Sequence, residues 1–206
     1  MKLYGHPMST CTRKVLTTLA EKGHEAQFMM VDLMKGQQKS PEYMARHPFG
    51  VVPYFEDDDG FSMYESRAII RYLDAKLPGN KLTPTDYPSL GRMEQWMSVE
   101  QSYFVPSCMA IVMELVFKAR SGASPDMDKV NKGRDGSAKA LDVVDRALMT
   151  QAYLAGDKFS LADICWLPYL QYLSATPHGT LITERPHVKS WWQRISTRPS
   201  WKKVNG

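Results

Sequence analysis

Between Leu77 and Pro88 the chain runs LPGNKLTPTDYP, with three prolines and a Gly-Asn pair in twelve residues. Prolines withhold backbone donors and Gly-Asn favours a turn, so no helix or strand is expected to cross this stretch. The two sides of it differ in period. Ahead of it, Lys2 to Tyr4 predicts a strand, and Val15, Leu16, Leu19 and Ala20 recur at helical spacing until Gly23. Gln27 to Val31 predicts a second strand. Ser40 and Pro41 then open a short helix as N-cap and first helical residue, and Pro48 and Gly50 close it. Strands at Pro53 to Glu56 and Phe61 to Met63 flank the turn Asp57-Asp58-Asp59-Gly60, and Ile69, Ile70, Leu73 and Leu77 mark another helix. From Ser89 onward, long stretches such as Gly91 to Arg120 and Lys139 to Leu154 carry helical apolar spacing with few candidate strands.

The expected fold class is therefore α/β plus all-α. Residues 1–78, in the order βαβαββα, have the size of a thioredoxin-like domain with a mixed four-stranded sheet. Residues 79–88 form a linker, and 89–206 form an all-helical domain. Within the latter, Phe159 to Ile164 reads FSLADI. Ser160 and Asp163 have capping-box spacing and Phe159 can staple to Ile164, a folding device rather than a site.

The 26 basic residues exceed the 22 acidic ones by four, and they are spread along the chain without a run, so a nucleic-acid partner is not expected. No segment approaches the apolar length of a membrane span and no secretory signal opens the chain. Cys11, Cys108 and Cys165 form no CxxC motif, and their odd number suits a reducing compartment, so a cytoplasmic location is expected.

Several chemistries lack their motifs. There is no GxSxG elbow, HExxH, paired CxxC, phosphate loop or GxGxxG, which argues against covalent serine catalysis, a metal site and dinucleotide binding. Cys11 stands in YGHPMSTCTRKV near a helix start, where a thiolate is favoured. Its spacing to Val15 and Leu19 instead places it on an apolar face as a buried, inert thiol. Ser9, in the strand-to-helix turn, is positioned to donate to an anion beside the helix N–H groups. Val52 before Pro53 would offer its backbone to an extended peptide if that bond is cis. Glu65 and Ser66 open a helix where a carboxylate could be held while Glu65 pairs with an ammonium. Each has a structural reading of its own, as a turn or an N-cap. Together they describe a peptide-like anion lying along a sheet edge.

The segments YGHPMSTCTRKVL, VDLMKGQQKSPEYMARHPFGVVP, YESRAIIRYL, ELVFKA, YLAGDKFSLADICWLPYLQYL and ERPHVKSWWQRISTRPSWKKV, in this order, resemble the cytosolic glutathione S-transferases, most closely the phi class. The resemblance implies a glutathione-binding first domain and an apolar electrophile site against the helical domain. It assigns Ser9 the hydrogen bond to the glutathione sulfur and leaves Cys11 noncatalytic. Glu65 and Ser66 match the pair that holds the γ-glutamyl end, Val52 and Pro53 the backbone clamp, and Lys39 the residue that meets the glycyl carboxylate. Gln38 stands where the class often has histidine, and Val51 where it commonly has glutamine.

Met8, Phe104, Met113 and Phe117 are the expected wall of the electrophile site, although Met and Phe at helical spacing also read as core. The implied reaction is conjugation of glutathione, as co-substrate, to hydrophobic electrophiles, without a metal. Reduction of organic hydroperoxides is also open to such a site. Thiol transfer through Cys11 and noncatalytic carriage of apolar ligands are the alternatives. A homodimer is implied, with Arg67 a candidate for an ion pair between subunits.

Overall fold

The computed structural model describes residues 1–120 and 122–205. The chain divides into one unit made of Met1–Leu82 with the segment from Pro199 onward, and a second spanning Thr83–Arg198.

The first unit holds β1 (Lys2–Gly5), α1 (Thr10–Glu21), β2 (Gln27–Met30), α2 (Pro41–Arg46), β3 (Tyr54–Glu56), β4 (Ser62–Tyr64) and α3 (Ser66–Lys76). The strands form one sheet in the order β2-β1-β3-β4, with β1 parallel to β2 and the other pairs antiparallel. Side chains alternate across it. Leu3 and Phe55, paired across β1 and β3, are fully buried, as are Val15 of α1 and Ile69, Ile70 and Leu73 of α3. Tyr4 and Tyr54 join Val31, Val52, Tyr64 and Tyr43 of α2 in a second cluster. The helix starts follow the sequence rules: Ser40 caps α2 by accepting from the Tyr43 N–H at 3.2 Å, and Pro41 occupies its first turn.

The division differs from the sequence-based boundaries at both ends. The stretch after Leu77 is fastened to the first unit as far as Leu82 through a buried ion pair. Lys22 Nζ reaches Asp74 Oδ1 at 2.9 Å and the Asn80 carbonyl at 2.8 Å, and Asp74 Oδ1 also accepts the Leu82 N–H at 3.0 Å. The last helix, Pro199–Asn205, belongs to the first unit and not to the helical domain assigned to 89–206. It packs on α1, with Arg13 Nη1 3.0 Å from Asn205 Oδ1, Ser200 bonded to Glu21, and Trp201 buried. Nothing in its local helical period distinguishes which domain it joins.

The second unit is helical: α4 (Tyr87–Val99), α5 (Val105–Val112), α6 (Met127–Ala147), α7 (Leu161–Ser174), α8 (Thr180–Thr183) and α9 (Pro186–Ser196), so the final helix is α10. Wide π turns at Glu100–Phe104 and Met113–Lys118 connect and extend α4 and α5. Pro106 has no N–H to continue an α ladder, and the Val105 N–H bonds back five residues to Glu100, which accommodates it. Helix α7 is buried on nearly every side, as a central core helix must be. Its capping box is formed: Ser160 and Asp163 bond reciprocally. Asp163 also accepts the Trp191 indole N–H at 2.8 Å and the Leu154 N–H at 3.1 Å.

Candidate functional site

The register of the sheet gathers the three predicted binding segments. Tyr4 pairs with Tyr54, and Tyr54 pairs with Tyr64, so these residues form one row across β1, β3 and β4. Chain direction alternates across that row. The turn after β1, the residues before β3 and the residues after β4 therefore lie at one sheet end, and these carry Ser9, Val52-Pro53 and Glu65-Ser66.

Ser9 is the N-cap of α1, with φ −73° and ψ 124°. Its Oγ accepts the Thr12 N–H at 3.2 Å, leaving the hydroxyl proton to be donated elsewhere. The turn before it is closed twice over: the His6 carbonyl accepts the Ser9 N–H at 2.9 Å, and His6 Nδ1 accepts the Met8 N–H at 3.2 Å. Gly5 allows the close approach, since a Cβ there would lie 2.5 Å from Thr12 Cγ2. Cys11, two residues into the helix region, is only partly buried, which corrects the expectation of a buried thiol. The buried face runs through Thr12, Val15 and Leu19, and Cys11 lies beside it at the open end of α1.

The Val52-Pro53 bond is cis, with Val52 partly buried and Pro53 buried. Tyr43 steadies this loop by donating its hydroxyl to the Val51 carbonyl at 2.9 Å. Val51 itself is 47% exposed. Glu65 has φ 73°, a left-handed value that costs a non-glycine residue about 1–3 kcal/mol and persists where the surroundings impose it. Its carbonyl accepts the Ala68 and Ile69 N–H groups at 2.9 Å, so the strained residue starts α3 while its side chain stays exposed. Ser66, next in line, is buried.

Lys39 and Gln38 occupy a 3₁₀ turn at Gln37–Lys39. Lys39 Nζ donates to the Phe49 carbonyl at 3.1 Å. Gly50, at φ 58°, permits the two loops to touch, because a Cβ there would stand 2.8 Å from the Gln38 carbonyl. Gln38 Oε1 is buried without a hydrogen-bond partner among the described residues.

Sequence reasoning did not select His47, which lies between these loops at the end of α2. The residue is 1% exposed, and its ring stacks on Tyr64 at 4.6 Å, with Tyr43 at 6.4 Å and Phe49 edge-on at 6.2 Å. Burial lowers its proton affinity below the ordinary histidine value, the Glu65 carboxylate opposes that, and the Lys39 ammonium adds to it. The only local signal was its place in HPFGVVP, directly ahead of the cis-proline loop.

The four residues expected to wall the electrophile site have unlike surroundings. Phe104 has no exposed surface and stacks on Trp166 at 4.5 Å, so it is core of the second unit and not a wall residue. The π turn Glu100–Phe104 rotates it inward, which simple α periodicity does not register. Met113 is 51% exposed; Phe117 is partly buried, 5.4 Å from Tyr172 with the Arg120 guanidinium over its ring. Met8 is partly buried in the first unit. A separate cavity of about 370 Å³ opens beside α2, lined by Tyr4, Gln37, Tyr43 and Arg46 among others. Its tyrosine hydroxyls and Arg46 are already engaged, by Glu56, the Val51 carbonyl and Glu42, and it contains none of the predicted site residues. Among the described residues no cluster of three His, Cys, Asp or Glu side chains could hold a metal ion, and no helix is long and apolar enough to cross a membrane.

A thioredoxin-like unit with Ser9, Val52-Pro53 and Glu65-Ser66 at one sheet end, joined in sequence to a helical unit, defines a class that comparison identifies. The family profile described as glutathione S-transferase, N-terminal domain, matches residues 1–75, and that of the C-terminal domain matches residues 43–199. Glutathione S-transferase PM239X14 of Arabidopsis thaliana is 43% identical over 196 residues, covering 93% of this chain and 89% of its own. The crystal structure of glutathione transferase F7 from Populus trichocarpa superposes with a TM-score of 0.94 at 40% identity, covering 99% of this chain and 97% of that one. Maize glutathione S-transferase I, solved with an atrazine glutathione conjugate, gives a TM-score of 0.90 at 32% identity, with coverages of 98% and 95%. The chain belongs to the glutathione S-transferase family, and its relatives place it with the phi (F-type) class.

Proposed function

We propose that this protein binds glutathione along the sheet end, ionises it at Ser9 and conjugates it to hydrophobic electrophiles. The observation that carries this is the geometry of Ser9, whose oxygen is engaged by the helix it caps and whose proton is available to a sulfur. Lowering a thiol pKa of about 8.5 by two units requires a preference for thiolate of roughly 2.7 kcal/mol. One hydrogen bond to a charged acceptor, about 1.5–3 kcal/mol, with the positive end of α1 beside it, is of that order. Glu65 and Ser66 take the γ-glutamyl end, the Val52 backbone before Pro53 the cysteinyl unit, and Lys39 with Gln38 the glycyl carboxylate.

In the reaction the thiol proton leaves to solvent, the thiolate sulfur forms a bond to the electrophilic carbon, and the displaced group departs with the electron pair of its own bond. With glutathione held and ionised, proximity supplies the remainder of the rate, and no covalent enzyme intermediate forms. Met8, Met113 and Phe117 remain candidates for contact with the electrophile. The maize relative's atrazine conjugate supports small apolar electrophiles as the substrate class.

Detoxification in a cytoplasmic setting and a homodimer complete the reading. Nucleic acid and membrane have no part in it. Phe49, 66% exposed on the loop after α2, supports the dimer, with Arg67 in the first turn of α3 as the ion-pair candidate. Light scattering at micromolar concentration tests it, and a monomer there removes it. The test of function is a glutathione-dependent panel of electrophiles and an organic hydroperoxide, run on the parent, Ser9→Ala and Cys11→Ala. Loss in Ser9→Ala with retention in Cys11→Ala supports the assignment; the reverse pattern transfers it to Cys11. Tight binding of apolar ligands with no turnover by the parent makes the protein a carrier.

A further inference from the structure

The peptide unit between Pro7 and Met8 leads from β1 into the Ser9 turn, and it is held at both ends. Its N–H donates to His6 Nδ1 at 3.2 Å, and its carbonyl accepts a hydrogen bond from Arg13 Nε at 2.7 Å. Arg13 lies one helical turn beyond Ser9, and its own N–H donates to the Ser9 carbonyl at 2.9 Å. Another nitrogen of the same guanidinium reaches α10: Nη1 donates to Asn205 Oδ1 at 3.0 Å. Helix α10 is fixed in turn, by the Ser200–Glu21 bond to α1, by Lys203 on Glu25 and by the buried Trp201. A continuous path therefore runs from α10 through one side chain to the backbone beside Ser9. A cation this close to a helix N-terminus opposes the dipole, so α1 alone does not favour arginine here. A planar fork that serves two acceptors in fixed directions is what the place uses.

We infer that Arg13, braced by Asn205, is a positioning residue for Ser9: it fixes the Pro7–Met8 peptide, and through it the place from which the Ser9 hydroxyl donates to the glutathione sulfur. The inference rests on the proposed role of Ser9. A hydrogen bond weakens steeply as its angle closes, and a small misplacement of a reacting group is costly, so rotation of this turn acts directly on thiolate stability. Neither Arg13 nor Asn205 is among the groups assigned to hold the glutathione peptide. Loosening the brace is therefore expected to change thiol ionisation and to leave binding almost as it was.

The test follows the thiolate absorbance of bound glutathione, and kcat, against pH in the parent, Arg13→Ala, Arg13→Lys and Asn205→Ala. In Arg13→Ala the thiol is expected to titrate about one unit higher, which is half the lowering assigned to the site. On the acid limb kcat then falls about tenfold. The KM for glutathione is expected to stay within about twofold of the parent's. Arg13→Lys keeps the charge and loses the fork, and Asn205→Ala keeps both and loses the brace, so each is expected to shift the titration in the same direction. Asn205→Asp returns an acceptor to Arg13 and is expected to restore the parent's profile. Lys203→Ala removes a different contact of α10 and is expected to leave that profile unmoved.

A double variant decides whether Arg13 acts through Ser9. Ser9→Ala combined with Arg13→Ala is expected to titrate where Ser9→Ala alone does, whereas a direct pull of the guanidinium charge on the sulfur would add to it. Additive shifts, or a parent-like titration in either Arg13→Ala or Asn205→Ala, overturn the inference. If Arg13→Ala fails to fold, Arg13→Lys takes its place in the single and double variants. Ser9→Ala alone separates the two levels. An unmoved thiol titration in that variant sinks the role of Ser9 and the inference with it. A raised titration there, with the Arg13 and Asn205 variants like the parent, sinks only the brace.

Discussion

The Ser9 hydroxyl oxygen accepts the Thr12 N–H at 3.2 Å, so the residue that starts helix α1 also stands at the sheet end that carries Val52 and Glu65. Capping consumes a lone pair and leaves the proton, and ionising a thiol requires the proton. The structural and chemical readings of this serine are therefore compatible, and substitutions can part them.

Ser9→Asp retains a side-chain acceptor at the N-cap but has no proton to give at neutral pH and sets a negative charge beside the thiolate. It should unfold at nearly the parent's temperature and lose conjugation by about tenfold to a hundredfold, with the thiol of bound glutathione titrating at higher pH. Ser9→Ala should lose comparable activity and also about 1 kcal/mol of stability. Thermal unfolding and thiolate absorbance against pH measure the two effects. A Ser9→Asp enzyme with parent-like turnover would refute the donor role.

Phe104 tests the correction made in the second unit. Phe104→Ala removes a ring stacked at 4.5 Å on Trp166 in a fully buried place and should cost about 3–5 kcal/mol. Phe104→Leu should cost less and leave the ranking of electrophiles by KM as in the parent. Met113→Ala, at an exposed position, should show the opposite pattern: little change in urea unfolding and a changed ranking.

The buried pair Lys22–Asp74, with both side chains at 1% exposure or less, holds the first part of the interdomain stretch. Asp74→Ala strands a buried ammonium and should destabilise the protein by about 3–5 kcal/mol in urea titration. Replacing both by Met and Leu should recover much of the loss, because the desolvated charges disappear together. If the double variant is no more stable than Asp74→Ala, the pair is not acting as a charge unit.

Asp57 supplies a pH dependence of stability. Burial pushes its carboxyl up, but hydrogen bonds from Lys76 at 2.7 Å, Tyr72 at 2.6 Å and the Asp58 N–H outweigh this and leave it below the usual range. A carboxyl lowered in the folded state stabilises the fold above its unfolded value, and the contribution is lost as pH falls through the folded one. Stability should therefore decline below about pH 4, and less steeply in Asp57→Asn. Denaturant midpoints measured across that range check the difference between the two proteins.

Much of the molecule could be read from short windows. Ser40-Pro41, the Ser160–Asp163 spacing and the prolines of LPGNKLTPTDYP act through backbone groups a few residues away, so their meaning survives without a fold. Phe104 and α10 were misplaced because their period is helical wherever they dock. A π turn decides which way Phe104 faces, and contacts to Arg13 and Glu21 decide which unit α10 joins. His47 was passed over for the same reason: its partners Lys39, Tyr64 and Glu65 come from separate loops and elements.

The sequence by itself determined the two-part organisation and the capped helix starts and supplied the residue types assigned to the proposed thiol-peptide site, since these follow from local sterics and hydrogen bonding. Tertiary structure decided which of those residues share one place. The row Tyr4-Tyr54-Tyr64 brings the Ser9 turn, the cis-proline loop and Glu65 to one sheet end, because β pairing joins segments by register and not by distance along the chain.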